Sequence, residues 1–525
     1  MTALRKRGSL AIAIAVLCGA SARPDDAKAP SPPPVDPAAG ALAAGRDALA
    51  ARKWSECLAA FERAAAASMT PAEALAGASR CALGSDQAAR GLDLARRASA
   101  ADPALPAARG ALGEALIRAG ELEEALALFA ELAAAAPDDA RAQLGLGRLR
   151  VAEGEAEAGI AALDRAHTLA PDDPDVLIRY AGAVTNRADA VRVLERWLAL
   201  AGSDDPERRE SIMSTLAAWK ALGDRSVWTI EGPQQRTELP LRTISDSPGS
   251  PPAGVIVELE APAAGGKEGK RLRLRCLLDT GASGLYLSRR IAERLLRAEV
   301  SHGAVYGGGG SGRHETTRVI LPAVQAGSLK FSDALAHIAD GEVDRGDRYD
   351  AILGVDVFER FRTTLDLPGR KIVIEVPAPA GPGDPPPAGA IQVWSIEGQP
   401  LVRVGFNGEA SGLMMLDTGA DRTVLALAAA ERIQGIRRSR RSAPAWGYGG
   451  AIGQVEDVSG LALRIPPIDE DRVSAVGIDL SRRSRLSGVE ISGYLGLDHL
   501  RRCIIVLEPG QYRMSLALPS AKRGS

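Results

Sequence analysis

Leu277-Leu278-Asp279-Thr280-Gly281-Ala282 returns 138 residues downstream as Met415-Leu416-Asp417-Thr418-Gly419-Ala420. In both copies an apolar run delivers a carboxylate into a turn that glycine permits, with a hydroxyl residue between them. A single Asp-Thr-Gly is a common accident of turn composition; two behind equivalent apolar runs mark a duplication. More of the chain obeys it. Val227-Trp228-Thr229-Ile230-Glu231-Gly232 is echoed by Val393-Trp394-Ser395-Ile396-Glu397-Gly398, and Ala292-Glu293-Arg294 by Ala430-Glu431-Arg432. Ile352-Leu353-Gly354-Val355-Asp356 is echoed by Tyr494-Leu495-Gly496-Leu497-Asp498. Short β-type runs with Gly turns fill both copies. The duplication predicts two homologous β lobes, 227–376 and 390–518, joined by a Pro/Gly tract at 377–389. Extended, that tract reaches about 40 Å, enough for the lobes to pair within one chain. Pairing between two chains is the other open arrangement.

Two carboxylates held at contact distance do not both ionise, so one keeps a proton while the other stays charged. Such a pair activates a water as general base and protonates a departing amine as general acid. Its titration belongs to the pair.

On Asp279-Thr280-Gly281-Ala282-Ser283, Asp417-Thr418-Gly419-Ala420-Asp421 and the two hydrophobic-hydrophobic-Gly signatures, Val227 to Leu518 resembles retropepsin-like and pepsin-like aspartic peptidases. The spacings agree, 75 residues from Asp279 to Gly354 and 79 from Asp417 to Gly496. The resemblance implies that Asp279 and Asp417 hold the nucleophilic water, supported by Thr280, Gly281, Thr418 and Gly419. It implies that each second signature packs beneath its catalytic turn. It also implies glycine-rich flaps over a peptide or protein substrate, at Tyr306 and Gly308 in lobe one and Tyr448 and Gly449 in lobe two. No cofactor or metal is implied. Pepsins place a hydroxyl residue after the first Asp-Thr-Gly; here Ala282 and Ala420 stand there. Loss of that donor to the charged form raises the carboxylate pKa and predicts a mildly acidic optimum. A reading of another class is a scaffold of the same fold that holds a peptide without cutting it.

The N-terminal half carries a different repeat. Pro103, Pro137 and Pro171 are spaced by 34 residues, as are Gly113 and Gly147, Gly120 and Gly154, and Phe129 and Leu163; Gly45 and Phe61 fit the same register. An Ala/Leu-rich helix-turn-helix unit of this period resembles tetratricopeptide repeats over residues 39–206. Four repeats and a weaker fifth, Val176 to Pro206, are expected. Such solenoids bind peptides or proteins, or serve as spacers, so a protein partner or the substrate is the expected occupant. The expected fold is multidomain: an all-α tetratricopeptide solenoid, then two mostly-β retropepsin-like acid-protease lobes.

Arg5, Lys6 and Arg7, the apolar run Leu10–Leu17 and Ala20-Ser21-Ala22 read as a signal peptide over 1–22, followed by a disordered Pro-rich leader at 23–38. Periplasmic or secreted placement follows, with an uncleaved anchor as the alternative. Leu17 before Cys18 is too bulky for a usual lipobox. Cys57 and Cys81 fall on neighbouring helices and can pair in an oxidising compartment, whereas Cys276 and Cys503 sit in apolar runs as buried thiols. A net charge of −2 and 4% aromatic residues leave no footprint for nucleic acid. Gly307-x-Gly309-x-x-Gly312 formally matches a dinucleotide fingerprint, but a strand-like run and no helix follows it, so nucleotide binding is rejected. The basic cluster Arg437 to Arg441 reads as a solvated loop, and the five histidines show no ligand spacing.

Overall fold

The computed structural model describes residues 37–184, 186–200, 206–231, 236–245, 252–265, 270–306, 313–339, 348–358, 360–376, 389–396, 398–440, 445–447, 450–508 and 513–519. The signal peptide and nearly all of the leader and linker lie outside them.

The 34-residue period becomes helix pairs: α1 (Pro37–Ala50) with α2 (Trp54–Ala67), α3 (Ala72–Gly84) with α4 (Ala88–Ala101), α5 (Pro106–Ala119) with α6 (Leu122–Ala135), α7 (Ala140–Glu153) with α8 (Ala156–Leu169), and α9 (Pro174–Ala183) with α10 (Arg187–Leu200). Gly120 and Gly154 end α5 and α7 at φ 81° and 102°, a conformation glycine adopts without strain. The Asp139 carboxylate caps α7 by accepting from the N–H groups of Arg141 (2.8 Å) and Ala142 (3.2 Å). The periodic glycines are contact points. A Cβ on Gly113 would sit 2.5 Å from the Phe129 ring, and one on Gly147 would sit 2.7 Å from Leu163. Cys57 and Cys81 form a disulfide between α2 and α3.

Two boundaries differ from expectation. Helix α1 begins at Pro37, inside the expected leader, because proline suits the first helical turn. The helical region also continues beyond 206 in α11 (Pro206–Leu222). Pro206 opens a helix by the same preference rather than closing the last repeat.

Each lobe is a β body, and a shared sheet joins them. Its order is Ala390–Ile396, Arg513–Ala517, Ile504–Glu508, Arg362–Asp366, Lys371–Glu375, Arg236–Pro240, with every neighbour antiparallel. At its centre the closing strands of the two lobes meet, Thr363 opposite Leu507 and Asp366 opposite Ile504. The lobes therefore pair within one chain, and strands 236–240, 362–366 and 371–375 belong to the junction rather than to the body of lobe one. One continuous apolar core runs from Leu116, Phe129 and Leu149 of the repeats through Leu278 of lobe one to Leu416 of lobe two. Cys276 and Cys503 are buried free thiols. Among the described residues no helix is long and apolar enough to cross a membrane.

Candidate active site

Strand Arg271–Asp279 ends on its carboxylate. Beside it, in parallel, runs Ala351–Gly354, with Leu353 opposite Leu278 and Gly354 opposite Asp279; Leu285–Ser288 flanks the other edge. Lobe two repeats the arrangement. Ser411–Leu416 lies parallel to Gly493–Leu495, with Leu416 opposite Leu495, and Val424–Ala426 closes the far side. Each second signature thus sits under its Asp-Thr-Gly turn, and glycine is required there. A Cβ on Gly354 would run into the Ala282 carbonyl, and one on Gly496 would stand 2.6 Å from the Thr423 nitrogen.

The two turns are cross-bonded with near-perfect reciprocity. Thr280 donates its hydroxyl to the Leu416 carbonyl at 2.7 Å, and Thr418 donates to the Leu278 carbonyl at 2.7 Å. Each hydroxyl also accepts the other's backbone N–H, Thr418 N to Thr280 Oγ1 at 3.0 Å and Thr280 N to Thr418 Oγ1 at 3.2 Å. Both threonines are buried. This locks the carboxylates face to face. Asp279 Oδ1 accepts from the N–H groups of Gly281 (2.8 Å) and Ala282 (3.1 Å), and Asp417 Oδ1 from Gly419 (2.9 Å) and Ala420 (2.9 Å). Gly281 and Gly419 also make room: a Cβ on Gly419 would stand 2.5 Å from the Asp279 carboxyl carbon, and one on Gly281 3.0 Å from that of Asp417.

The electrostatics follow from this packing. Burial raises both carboxyls, and the charge of Asp279 lifts Asp417 further, well above the ordinary carboxylate range. The N–H donors pull the other way, and no side-chain hydroxyl stands at Ala282 or Ala420 to add to them. Each carboxyl packs against the glycine of the other's turn, so the titrations of the two are linked.

Several contributors were not singled out in the sequence. Asp356 accepts the Gly284 N–H at 2.8 Å, and Asp498 accepts the N–H (3.0 Å) and hydroxyl (2.9 Å) of Thr423. Both pin the segment that leaves the catalytic turn, and their equivalence was visible in the duplicated Gly-x-Asp. Gln399 of lobe two donates to the Gly281 carbonyl at 3.2 Å. Tyr494 Oη and Arg483 Nε are buried with no hydrogen-bond partner among the described residues. Asp498→Ala is expected to lower kcat about 10-fold with KM little changed, because the N–H and hydroxyl of Thr423 both lose their acceptor. Steady-state kinetics on a peptide checks this.

Of the expected flap residues, Tyr306 ends strand Ala298–Tyr306, paired with Arg313 of the next strand. Gly308, Tyr448 and Gly449 lie outside the described residues. The basic stretch Arg437–Arg440 is an exposed strand rather than a loop, paired with Val455–Ile465. Among the described residues no cluster of His, Cys, Asp or Glu is arranged to hold a metal ion.

Residues 265–357 match the family model for an aspartyl protease, and residues 82–149 match that for a tetratricopeptide repeat. No curated protein matches the chain in sequence. Among solved structures, a thermophilic tetratricopeptide-repeat protein of Thermus thermophilus is 22% identical, with 34% of this chain and 98% of that one covered and a TM-score of 0.29. MamA from Desulfovibrio magneticus is 21% identical, with coverage of 31% and 93% and a TM-score of 0.24. The aspartic proteinase of Irpex lacteus is 12% identical, with coverage of 55% and 99% and a TM-score of 0.35. The matched stretches, with the geometry around them, identify tetratricopeptide repeats followed by a β-rich region resembling the lobes of an aspartic protease.

Proposed function

We propose that the chain is an exported aspartic endopeptidase that hydrolyses peptide bonds with a water held between Asp279 and Asp417. The observation that carries the reading is the reciprocal bonding of the two Asp-Thr-Gly turns, which places two half-buried carboxyls together with matched donors. In the one-proton state, the ionised carboxylate takes a proton from the water as its oxygen attacks the scissile carbonyl carbon. The protonated carboxyl gives its proton to the carbonyl oxygen, forming a tetrahedral diol. Collapse of the diol breaks the C–N bond: the dyad gives its proton to the departing nitrogen, and one diol hydroxyl returns a proton to the dyad as it becomes the carbonyl of the acid. The products are a carboxylic acid and an amine, and the pair again holds one proton.

Export, to the periplasm or beyond the cell, is supported by the basic-then-apolar start of the chain and by the Cys57–Cys81 disulfide, a bond that persists in oxidising compartments. For the repeats we propose docking of a protein partner or the substrate. The support is a groove of about 200 Å³ among α1, α2, α3, α5 and α7, lined by Phe61, Arg46, Glu73, Arg80, Glu114 and Arg141.

Titration of the mature chain with a transition-state inhibitor of aspartic peptidases tests the shared cleft. One inhibitor bound per chain, with a solution mass of one chain and loss of cleavage of an unfolded protein, is the expected result. One inhibitor per two chains would move the dyad to a dimer interface, and no binding would remove the peptidase reading.

A further inference from the structure

We infer that α11 is a strut between the lobes, holding lobe one's wall beside Asp279 and lobe two's helix Ser481–Ser487 at a set separation, with Ser214, Arg318 and Glu207 as positioning residues. Its kinetic consequence rests on the peptidase reading; its mechanical one does not.

The lobe-one attachment is buried. Helix α11 packs along strand Ala298–Tyr306. Arg318, 9% exposed, donates Nη1 to the carbonyl (3.0 Å) and hydroxyl (2.7 Å) of Ser214. Gly303 leaves space for this junction: a Cβ there would overlap Ser214 Oγ and approach Arg318 Nη1 to 2.8 Å. Arg318 also ends a lateral row of side chains that begins beside the dyad. Ile256 pairs with Leu277, Leu277 with Ile352, Ile352 with Tyr286, Tyr286 with His337, and His337 with Arg318. Lateral partners share a sheet face, and Leu277 shares its face with Asp279 two residues on. The Tyr286 and His337 rings stack at 4.9 Å. The row thus runs from the catalytic strand to the helix without a break.

The lobe-two attachment is ionic. Glu207, in the first turn of α11, accepts from Arg482 Nε at 3.3 Å and pairs with Arg485 Nη2 at 3.6 Å. The repeats grip the same short helix from another side. Arg118 donates to the Ser484 carbonyl at 3.0 Å, and Asp86 pairs with Arg485 at 3.5 Å. Glu207 and Ser214 are seven residues apart, two turns on one face and about 10.5 Å along the axis. A stiff helix therefore fixes the distance between two attachments on different lobes.

The test uses the full mature chain with Glu207→Arg, Glu207→Asp, Arg318→Met and Arg318→Lys, followed by hydrogen exchange and by kinetics on a peptide. Glu207→Arg sets three cations together, and among the described residues the ion pairs of Glu207 are with lobe two. It is nonetheless expected to speed exchange about 10-fold in lobe-one strand Ala298–Tyr306 and to raise KM about 10-fold, with kcat within about twofold. Arg318→Met is expected to raise KM similarly, and the charge-keeping Glu207→Asp and Arg318→Lys to recover most of the loss. Faster exchange confined to residues 481–487, or wild-type KM in both Glu207→Arg and Arg318→Met, would overturn the strut. If the chain cleaves nothing, the peptidase reading falls and the exchange result alone decides the strut.

Discussion

Asp417→Asn is expected to reduce kcat by about four orders of magnitude or more while raising the melting temperature near neutral pH. The loss follows from the one-proton requirement, because an amide neither takes a proton from water nor gives one to the scissile carbonyl. The gain follows from linkage. Burial and the neighbouring charge hold the Asp417 carboxyl well above its unfolded value. Such a group contributes stability that is fully present below the unfolded pKa and is lost as pH rises through the folded pKa. Between those two values the native chain becomes progressively destabilised relative to acid, above them the loss is complete, and a neutral amide escapes that penalty. The gain is therefore a few degrees at neutral pH, and it shrinks as pH falls below the unfolded carboxylate pKa. Thermal melts at both pH values beside a peptide assay check the two halves together. A variant that loses activity and stability equally at every pH would show that Asp417 is structural.

Thr418→Val is expected to destabilise the chain by about 2–4 kcal/mol and to cut activity at least 100-fold. Valine keeps the shape but leaves the Leu278 carbonyl without its 2.7 Å donor and the Thr280 N–H without its 3.2 Å acceptor. Two buried polar groups then go unpaired, at about 1–2 kcal/mol each. The activity loss has a separate origin: the cross-bonds set the separation of the carboxyls, and a misplacement of about 1 Å at a reacting centre costs about 100-fold. Thr418→Ser keeps the hydroxyl and is expected to restore most of both. Denaturant unfolding and kcat/KM on the three chains separate the two effects. Equal stability for the valine and wild-type chains would mean the turns are held by other contacts.

The dyad, its threonines and the glycines beneath it were legible because the duplication displays each of them twice. The repeat helices were legible because a fixed period fixes which residues meet, as Gly113 and Phe129 do. What stayed hidden is non-local. The shared sheet is built from short strands such as Arg236–Pro240 and Ala390–Ile396, whose partners Lys371–Glu375 and Arg513–Ala517 lie far away in sequence. Asp356 and Asp498 were seen as an echo but not as clamps, since the hydrogen bonds that define them appear only after folding. Helix α11 starts close to where the 34-residue period would place the next helix, but it lies beyond the stretch read as repeats, and nothing marks Ser214 or Glu207 in the sequence. Gln399 likewise reaches back 118 residues to the Gly281 carbonyl.

The central claim, a one-proton pair shared by the two lobes, is tested most directly by kcat/KM for a peptide across pH in the mature chain and in Asp279→Asn. The account predicts a bell-shaped profile for the native chain. Its acid limb marks protonation of the second carboxyl, and its basic limb lies above the ordinary carboxylate range because burial and the charge of Asp279 hold Asp417 up. It predicts no measurable cleavage by the variant at any pH. A folded native chain that cleaves nothing across the range, or a variant that keeps the native profile, would contradict it.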